Sequence, residues 1–133
     1  MEDYENPNVD PSRDDEVIIG RYTTDIITIN VPLDLTYANV YVTFYQNGKI
    51  ILDKQNDEIN ITSETIEVPL TQEDTSKFMP GYVTFEIRYI FADGSSDFSN
   101  TMGFKVNNPI KGGVLNYVSS QLWYRTKRIY CFV

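Results

Sequence analysis

The sequence predicts an all-β fold, an antiparallel β-sandwich of about seven strands with one short helical turn. Three observations predict it: apolar and polar residues alternate over several segments, Asn-Gly and Asp-Gly pairs follow two of them, and 14% of residues are aromatic. Alternation places one face of a strand in a core. Asn-Gly and Asp-Gly pairs suit two-residue hairpin turns, because they adopt positive φ at little cost.

The first predicted strands lie between residues 17 and 53. Val17–Gly20 is a short apolar run, and Asp25–Val31 alternates. In the next strand Val40, Val42 and Phe44 are expected to face the core, and Asn47-Gly48 then turns the chain into Lys49–Asp53. The residues of that strand expected to face solvent are Tyr41, Thr43 and Tyr45.

The predicted strands continue after residue 57. Glu58–Ile61 and Thr65–Leu70 form a further pair, and Thr71–Phe78 is a helical interruption, because Thr71 can cap a helix. Gly81–Phe91 is the strongest strand, with Val83, Phe85, Ile87, Tyr89 and Phe91 on one face. Asp93-Gly94 then turns the chain into Asp97–Val106. This spacing favours an immunoglobulin-like sandwich, with a closed barrel as the alternative.

Charge divides the chain into three zones. Residues 1–16 carry seven acids against Arg13 and are interpreted as an acidic flexible arm. Residues 17–108 form the predicted β-sandwich domain, and residues 109–133 form a basic, aromatic C-terminal arm. The formal net charge of −8 disfavours nucleic acid and anionic lipid, so we expect neither a nucleic-acid nor a membrane partner.

The composition argues against most catalytic chemistry. The chain has no histidine, which excludes Ser-His-Asp and Cys-His catalysis and histidine metal sites. Cys131 is the single cysteine, so no intrachain disulfide can form. The carboxylates are explained by the acidic arm, the helix start, a turn and polar strand faces, so we expect no catalytic residue, cofactor or metal. Oxygen-bearing side chains between Asp53 and Asn60 are more typical of a solvated loop than of a calcium site.

The C-terminal arm holds the candidate partner-binding residues. Aromatic and basic side chains alternate there, and exposed apolar surface marks interaction sites. Docking on a partner and packing on the chain's own domain remain equal alternatives, while stacking on nucleic acid is less favoured. The candidates are Leu122, Trp123, Tyr124, Arg125, Lys127, Arg128, Tyr130 and Phe132.

The segment from about residue 17 to residue 113 resembles small β-sandwich proteins of tailed bacteriophages, in particular the N-terminal domain of upper baseplate proteins and related tail or head appendage proteins. The order and spacing of short motifs carry this resemblance. They are Leu33–Phe44, Asn47-Gly48-Lys49, Val68–Thr75, Gly81–Tyr89 and Ala92-Asp93-Gly94.

The resemblance implies a non-enzymatic structural protein of the virion, assembled in the host bacterial cytoplasm as a baseplate, tail, neck or capsid-surface component. Its implied partners are other virion proteins and further copies of itself. The chain departs from this pattern from Asn116 onward, and we expect a stand-alone module with no larger domain after it. The alternative function is a glycan- or host-receptor-binding module, suggested by the outward aromatics Tyr41, Tyr45 and Tyr82.

Overall fold

The computed structural model describes residues 16–116 and 126–131, with the backbone alone at residues 126–128. Within these residues the chain forms ten strands and one short α-helix. A single 3₁₀ turn lies at Asn56–Glu58. In chain order the elements are β1 Ile18–Gly20, β2 Asp25–Asn30, β3 Asn39–Gln46, β4 Lys49–Gln55, β5 Asn60–Ile61, β6 Thr65–Leu70, α1 Gln72–Ser76, β7 Gly81–Ile90, β8 Ser96–Phe98, β9 Met102–Asn107 and β10 Thr126–Tyr130.

The strands form two open sheets. Six strands make one sheet in the order β1-β9-β7-β3-β4, with β8 paired to β7 beyond the end of β9. Four strands make the other, in the order β10-β2-β6-β5. Buried side chains of both sheets belong to one hydrophobic cluster, which is consistent with a sandwich.

The prediction of wholly antiparallel sheets is wrong, because both sheets are mixed. β1 pairs with β9 in parallel, with Ile18 opposite Lys105. β10 pairs with β2 in parallel, with Thr126 opposite Ile26. Both strands come from outside the central hairpins and join a sheet at its edge, so no tight turn fixes their direction.

The predicted core of β3 and β7 is confirmed. Val40, Val42 and Phe44 are fully buried, and the alternate residues of β7 from Val83 to Tyr89 are buried as well. Aromatic rings hold the middle of this core, because Phe44 lies 5.2 Å from Phe85 and 5.7 Å from Phe78 between ring centroids. Phe78 reaches the core from the segment between α1 and β7.

The two predicted turns have different outcomes. At Asn47-Gly48 both residues have positive φ, 54° and 82°, and β3 and β4 pair across them, which confirms the two-residue hairpin. At Asp93-Gly94 only Gly94 has positive φ, 91°. The Gly94 N–H donates to the Phe91 carbonyl, and the Phe91 N–H donates to the Ser95 carbonyl. This turn is therefore a longer loop closed by a left-handed glycine, and the two-residue prediction is wrong there.

The predicted helix cap is confirmed, although the helix is shorter than residues 71–78. The Thr71 hydroxyl accepts a hydrogen bond from the Asp74 N–H at 3.0 Å. The Thr71 N–H donates to Asp74 Oδ2 at 2.9 Å. These reciprocal bonds give the backbone N–H groups of Thr71 and Asp74 acceptors at the start of α1, where no carbonyl of the helix can reach them.

The predicted strand Asp97–Val106 is divided into β8 and β9. Between them the Ser99 N–H donates to the Ile87 carbonyl at 2.8 Å, and the Ile87 N–H donates to the Ser99 hydroxyl oxygen at 3.0 Å. A side chain thus replaces one backbone acceptor of the ladder, which lets β8 and β9 share one neighbour, β7. Phe98, in β8, is 60% exposed and does not enter the core.

Candidate functional site

The C-terminal candidates are only partly described. Leu122, Trp123, Tyr124, Arg125 and Phe132 lie outside the described residues, as does the acidic arm before residue 16. The backbone positions of Lys127 and Arg128 lie in β10, opposite Ile27 and Thr28 of β2. The side chain of Tyr130 is 62% exposed at the end of the same strand.

β10 is attached to its own sheet by backbone pairing and by two apolar side chains. The Cys131 N–H donates to the Asn30 carbonyl at 2.9 Å, which extends the pairing past the end of β10. Cys131 is buried in the core, and Ile129 packs against that core. Burial raises the pKa of the Cys131 thiol, although a hydrogen bond with Ser99 opposes the shift. The described end of the chain therefore has an apolar inner side and an exposed tyrosine.

A shallow depression adjoins this end of β10. Its volume is about 590 Å³, and it lies where the four-stranded sheet ends beside the segment that leaves β2. Seven residues line it: Asn30, Val31, Pro32, Glu64, Thr65, Tyr130 and Cys131.

The outer face of the six-stranded sheet is the second candidate surface. Along β3 the outward residues are Tyr41, Thr43 and Tyr45, as the alternation predicts. β7 places Arg88 opposite Tyr41 and Glu86 opposite Thr43. The face therefore alternates aromatic rings with charged and hydroxyl groups.

Two hollows lie on this face. One has a volume of about 260 Å³, and the other has a volume of about 390 Å³. Both touch Thr43 of β3 and Ile50 of the edge strand β4, so they adjoin across these two strands. Tyr45 and Glu86 line the first, and the second is lined by Tyr41, Asp53, Arg88 and others.

Tyr82, predicted to face outward, is on the solvent side but is not a free aromatic platform. A Cβ atom at Gly103 would lie 2.5 Å from the Tyr82 ring, so this ring covers the glycine. Tyr82 is nonetheless 59% exposed. Gly103 is thus required for close approach of a ring rather than for an unusual backbone angle.

The charges of the outer face differ in how they are held. Thr43 donates a hydrogen bond to Asp53 Oδ1 at 2.9 Å, which fixes that carboxylate above β3. Within residues 16–116 and 126–131 the one ion pair described joins Lys54 to Asp74, on the inner side of β4. Glu86 is half-buried and Arg88 is exposed, and neither takes part in that pair. Both groups are available to a ligand.

The side chains of the possible calcium loop take structural roles. Asn56 Oδ1 accepts from the Val40 N–H at 2.6 Å, and its amide donates to the Ala38 carbonyl at 3.1 Å. Glu58 Oε1 accepts from the Gln55 N–H at 3.0 Å. In the described part of the chain no group of three or more cysteine, aspartate or glutamate residues is arranged to hold a metal ion.

The described residues contain no helix long and apolar enough to cross a membrane. No protein-family model matches the chain, and no curated protein shows significant sequence similarity to it. The candidate sites are therefore characterised by their geometry alone.

Sequence reasoning missed part of the outer-face site. It placed Glu86 and Arg88 on the polar side of a strand, where charges are common, and assigned them no role. Ile50 was treated as part of a returning strand, although it is 63% exposed and touches both hollows. The signal that could have found Ile50 is the cross-strand register set by the Asn47-Gly48 turn, which brings Ile50 beside Tyr45. Glu86 and Arg88 depend on the pairing of β3 with the distant strand β7, which leaves no local signal.

Proposed function

We propose that the chain is a non-enzymatic structural protein of a tailed-bacteriophage virion. In this proposal an immunoglobulin-like sandwich is the rigid body, and the terminal segments bind neighbouring subunits and other virion proteins. The particle component would be a baseplate, tail, neck or capsid-surface protein. The motif resemblance supplies the virion class, and the arrangement of β10 supports the assembly role.

The observation that carries the assembly role is the position of β10. It is an edge strand, it pairs with β2 in parallel, and it follows β9 only after an intervening segment of residues 108–125. An edge strand tethered by a long segment can occupy the same place on a neighbouring copy, because the backbone pairing is identical in both cases. Exchange of β10 would connect subunits without any new contact surface.

Charge supports the same arrangement. The first sixteen residues carry seven acids, and the last twenty-five carry the bases Lys111, Arg125, Lys127 and Arg128 with no acid among them. Opposite charges at the two ends favour contact between the start of one copy and the end of the next. No catalytic group, cofactor, nucleic acid or membrane is needed for this role.

Truncation is a poor test of this role. Removing residues 114–133 would delete β10 together with all the candidate partner-binding residues. The buried Cys131 and the packing of Ile129 mean that such a truncation also removes part of the core. A loss of assembly would then be confounded with a loss of stability.

Mass spectrometry of purified particles tests the virion assignment. We expect peptides of this chain in density-purified particles, at a constant ratio to a known structural protein of the same particle, after lysates have been depleted of soluble proteins. A host cytoplasmic protein in the same lysate serves as the control for carry-over. Detection in the lysate together with absence from the particles would reject the assignment.

A further inference from the structure

We propose that the outer face of the six-stranded sheet binds an uncharged oligosaccharide, with Tyr41 and Tyr45 as stacking platforms. This goes beyond the proposed assembly role, because that role uses the other sheet and the chain ends. The site consists of the two adjoining hollows that share Thr43 and Ile50. Their combination of exposed rings with the carboxylates of Asp53 and Glu86 and the guanidinium of Arg88 carries the inference.

The two tyrosines set the length of the ligand. They lie four residues apart on one strand, and both point to solvent, with exposures of 38% and 47%. At about 3.3 Å per residue, four residues span about 13 Å. This distance exceeds the width of one sugar ring, so a single sugar reaches one platform and an oligosaccharide reaches both. The C–H faces of pyranose rings stack on the negative face of an aromatic ring.

The polar groups between the platforms fit sugar hydroxyls, which both donate and accept hydrogen bonds. Asp53 and Glu86 lie opposite Thr43 on the two neighbouring strands, so two carboxylate acceptors flank the middle of the site. Arg88 lies opposite Tyr41 and contributes a planar donor. Glu86 and Arg88 take no part in the ion pair between Lys54 and Asp74. A ligand therefore does not have to break that salt bridge to bind them.

The charge of the site and of the whole chain favours uncharged carbohydrates over polyanionic ones. Two carboxylates and one guanidinium line the hollows, and the whole chain carries a formal charge of −8. Polyanionic glycans would be repelled by this field, whereas neutral ones would not. A protein partner is less favoured, because the carboxylates of Asp53 and Glu86 interrupt the apolar groups, and aspartate and glutamate are depleted in protein interfaces.

The test is an NMR titration of the full chain with maltohexaose, cellohexaose and chitohexaose, followed by measurement of Kd. We expect at least one of them to shift the backbone amides of residues 41–45 and 86–88 saturably. Tyr45→Ala should weaken that binding roughly tenfold, through loss of one stacking platform. Tyr45→Phe keeps the ring and should bind within about twofold of the wild type.

Tyr37→Ala is the matched control, because Tyr37 is 89% exposed and lines neither hollow. It should leave Kd unchanged. The proposal is overturned if none of the three hexasaccharides gives saturable shifts up to about 10 mM, where a Kd of about 1 mM would be near saturation. Binding of polygalacturonate alone would also overturn it, as would shifts of this face that depend on protein concentration without sugar and so indicate a contact between copies.

Discussion

Replacing Phe44 with alanine should lower the free energy of unfolding by about 4 kcal/mol. Phe44 is fully buried, and its ring lies within 6.1 Å of three others, those of Phe78, Phe85 and Phe104. Truncation removes the ring that touches all three, and the surrounding strands cannot collapse into the space without losing register. The free energy of unfolding of a whole domain is about 5–15 kcal/mol, so this single substitution would remove a large share of the stability.

The measurement is urea unfolding followed by circular dichroism, with Phe98→Ala as the control. Phe98 is the same residue type on the outer side, 60% exposed, and its truncation should change stability by no more than about 0.5 kcal/mol. Equal losses in the two variants would contradict the assignment of the inner and outer faces.

Replacing Asp74 with alanine should cost about 3 kcal/mol. Its carboxylate accepts from the Lys54 ammonium at 2.8 Å and from the Thr71 N–H at 2.9 Å. The two side chains of the ion pair are 11% and 13% exposed, so truncation leaves the Lys54 ammonium largely buried without its partner. The same variant loses the bond from the Thr71 N–H to this carboxylate, whereas the bond from the backbone N–H of residue 74 to the Thr71 hydroxyl remains. Glu73→Ala is the control, because Glu73 lies in the same turn but is exposed, and it should change stability by less than about 1 kcal/mol.

Asp74 also gives a pH dependence with a defined sign. Burial alone would raise the pKa of its carboxyl, but the hydrogen bonds and charge of Lys54 and the hydrogen bonds of Thr71 outweigh burial and hold it below its ordinary value. The unfolded chain therefore binds the proton at a higher pH than the folded chain. Stabilisation by Asp74 is complete above about pH 4 and is lost as the pH falls through the folded-state pKa.

The measurement is the stability difference between the wild type and Asp74→Asn from pH 7 to pH 2. We expect a constant difference down to about pH 4, followed by a decrease. Asp34 and Asp93 also have lowered pKa values, caused by hydrogen bonds from Thr36 and Ser95, but they are present in both proteins and cancel. A difference that grows as the pH falls would contradict the described contacts.

Local patterns predicted the centre of the fold well. The alternation in β3 and β7 placed the correct residues inside, because each strand has neighbours on both sides and one buried face. The Asn47-Gly48 turn and the Thr71 cap were also found, since both depend on residues within a few positions of one another. Parallel pairing of β1 and β10 was missed, because it depends on partners about ninety to one hundred positions away, which leave no local signal.

The candidate sites were predicted less completely. Alternation gave the outward position of Tyr41 and Tyr45, but the hollows depend on how three strands line up, and a bulge shifts the β3–β4 register between Phe44 and Tyr45. The sequence showed Cys131 only as the single cysteine of the chain, and its burial follows from the attachment of β10, which the sequence left open. The inward reach of Lys54 was not predicted, since lysine at a strand edge is normally a solvent-facing residue.

Disulfide trapping between β10 and β2 is the most direct test of strand exchange. Asn30 and Tyr130 are opposite each other in the parallel register. Neighbouring strands lie about 4.8 Å apart, within the Cα separation that a disulfide tolerates. One chain would carry Asn30→Cys with one affinity tag, and the other would carry Tyr130→Cys with a second tag. Both would carry Cys131→Ala, and they would be co-expressed and then oxidised.

The matched control replaces Asn30→Cys with Asn39→Cys, an exposed position on β3 in the other sheet, which should give no crosslink to the Tyr130→Cys chain. If β10 connects copies, a covalent dimer carrying both tags should form, and peptide mapping should join the two introduced thiols. The contradicting result is a bond only within a single chain that carries both substitutions, with no two-tag dimer from the co-expressed pair.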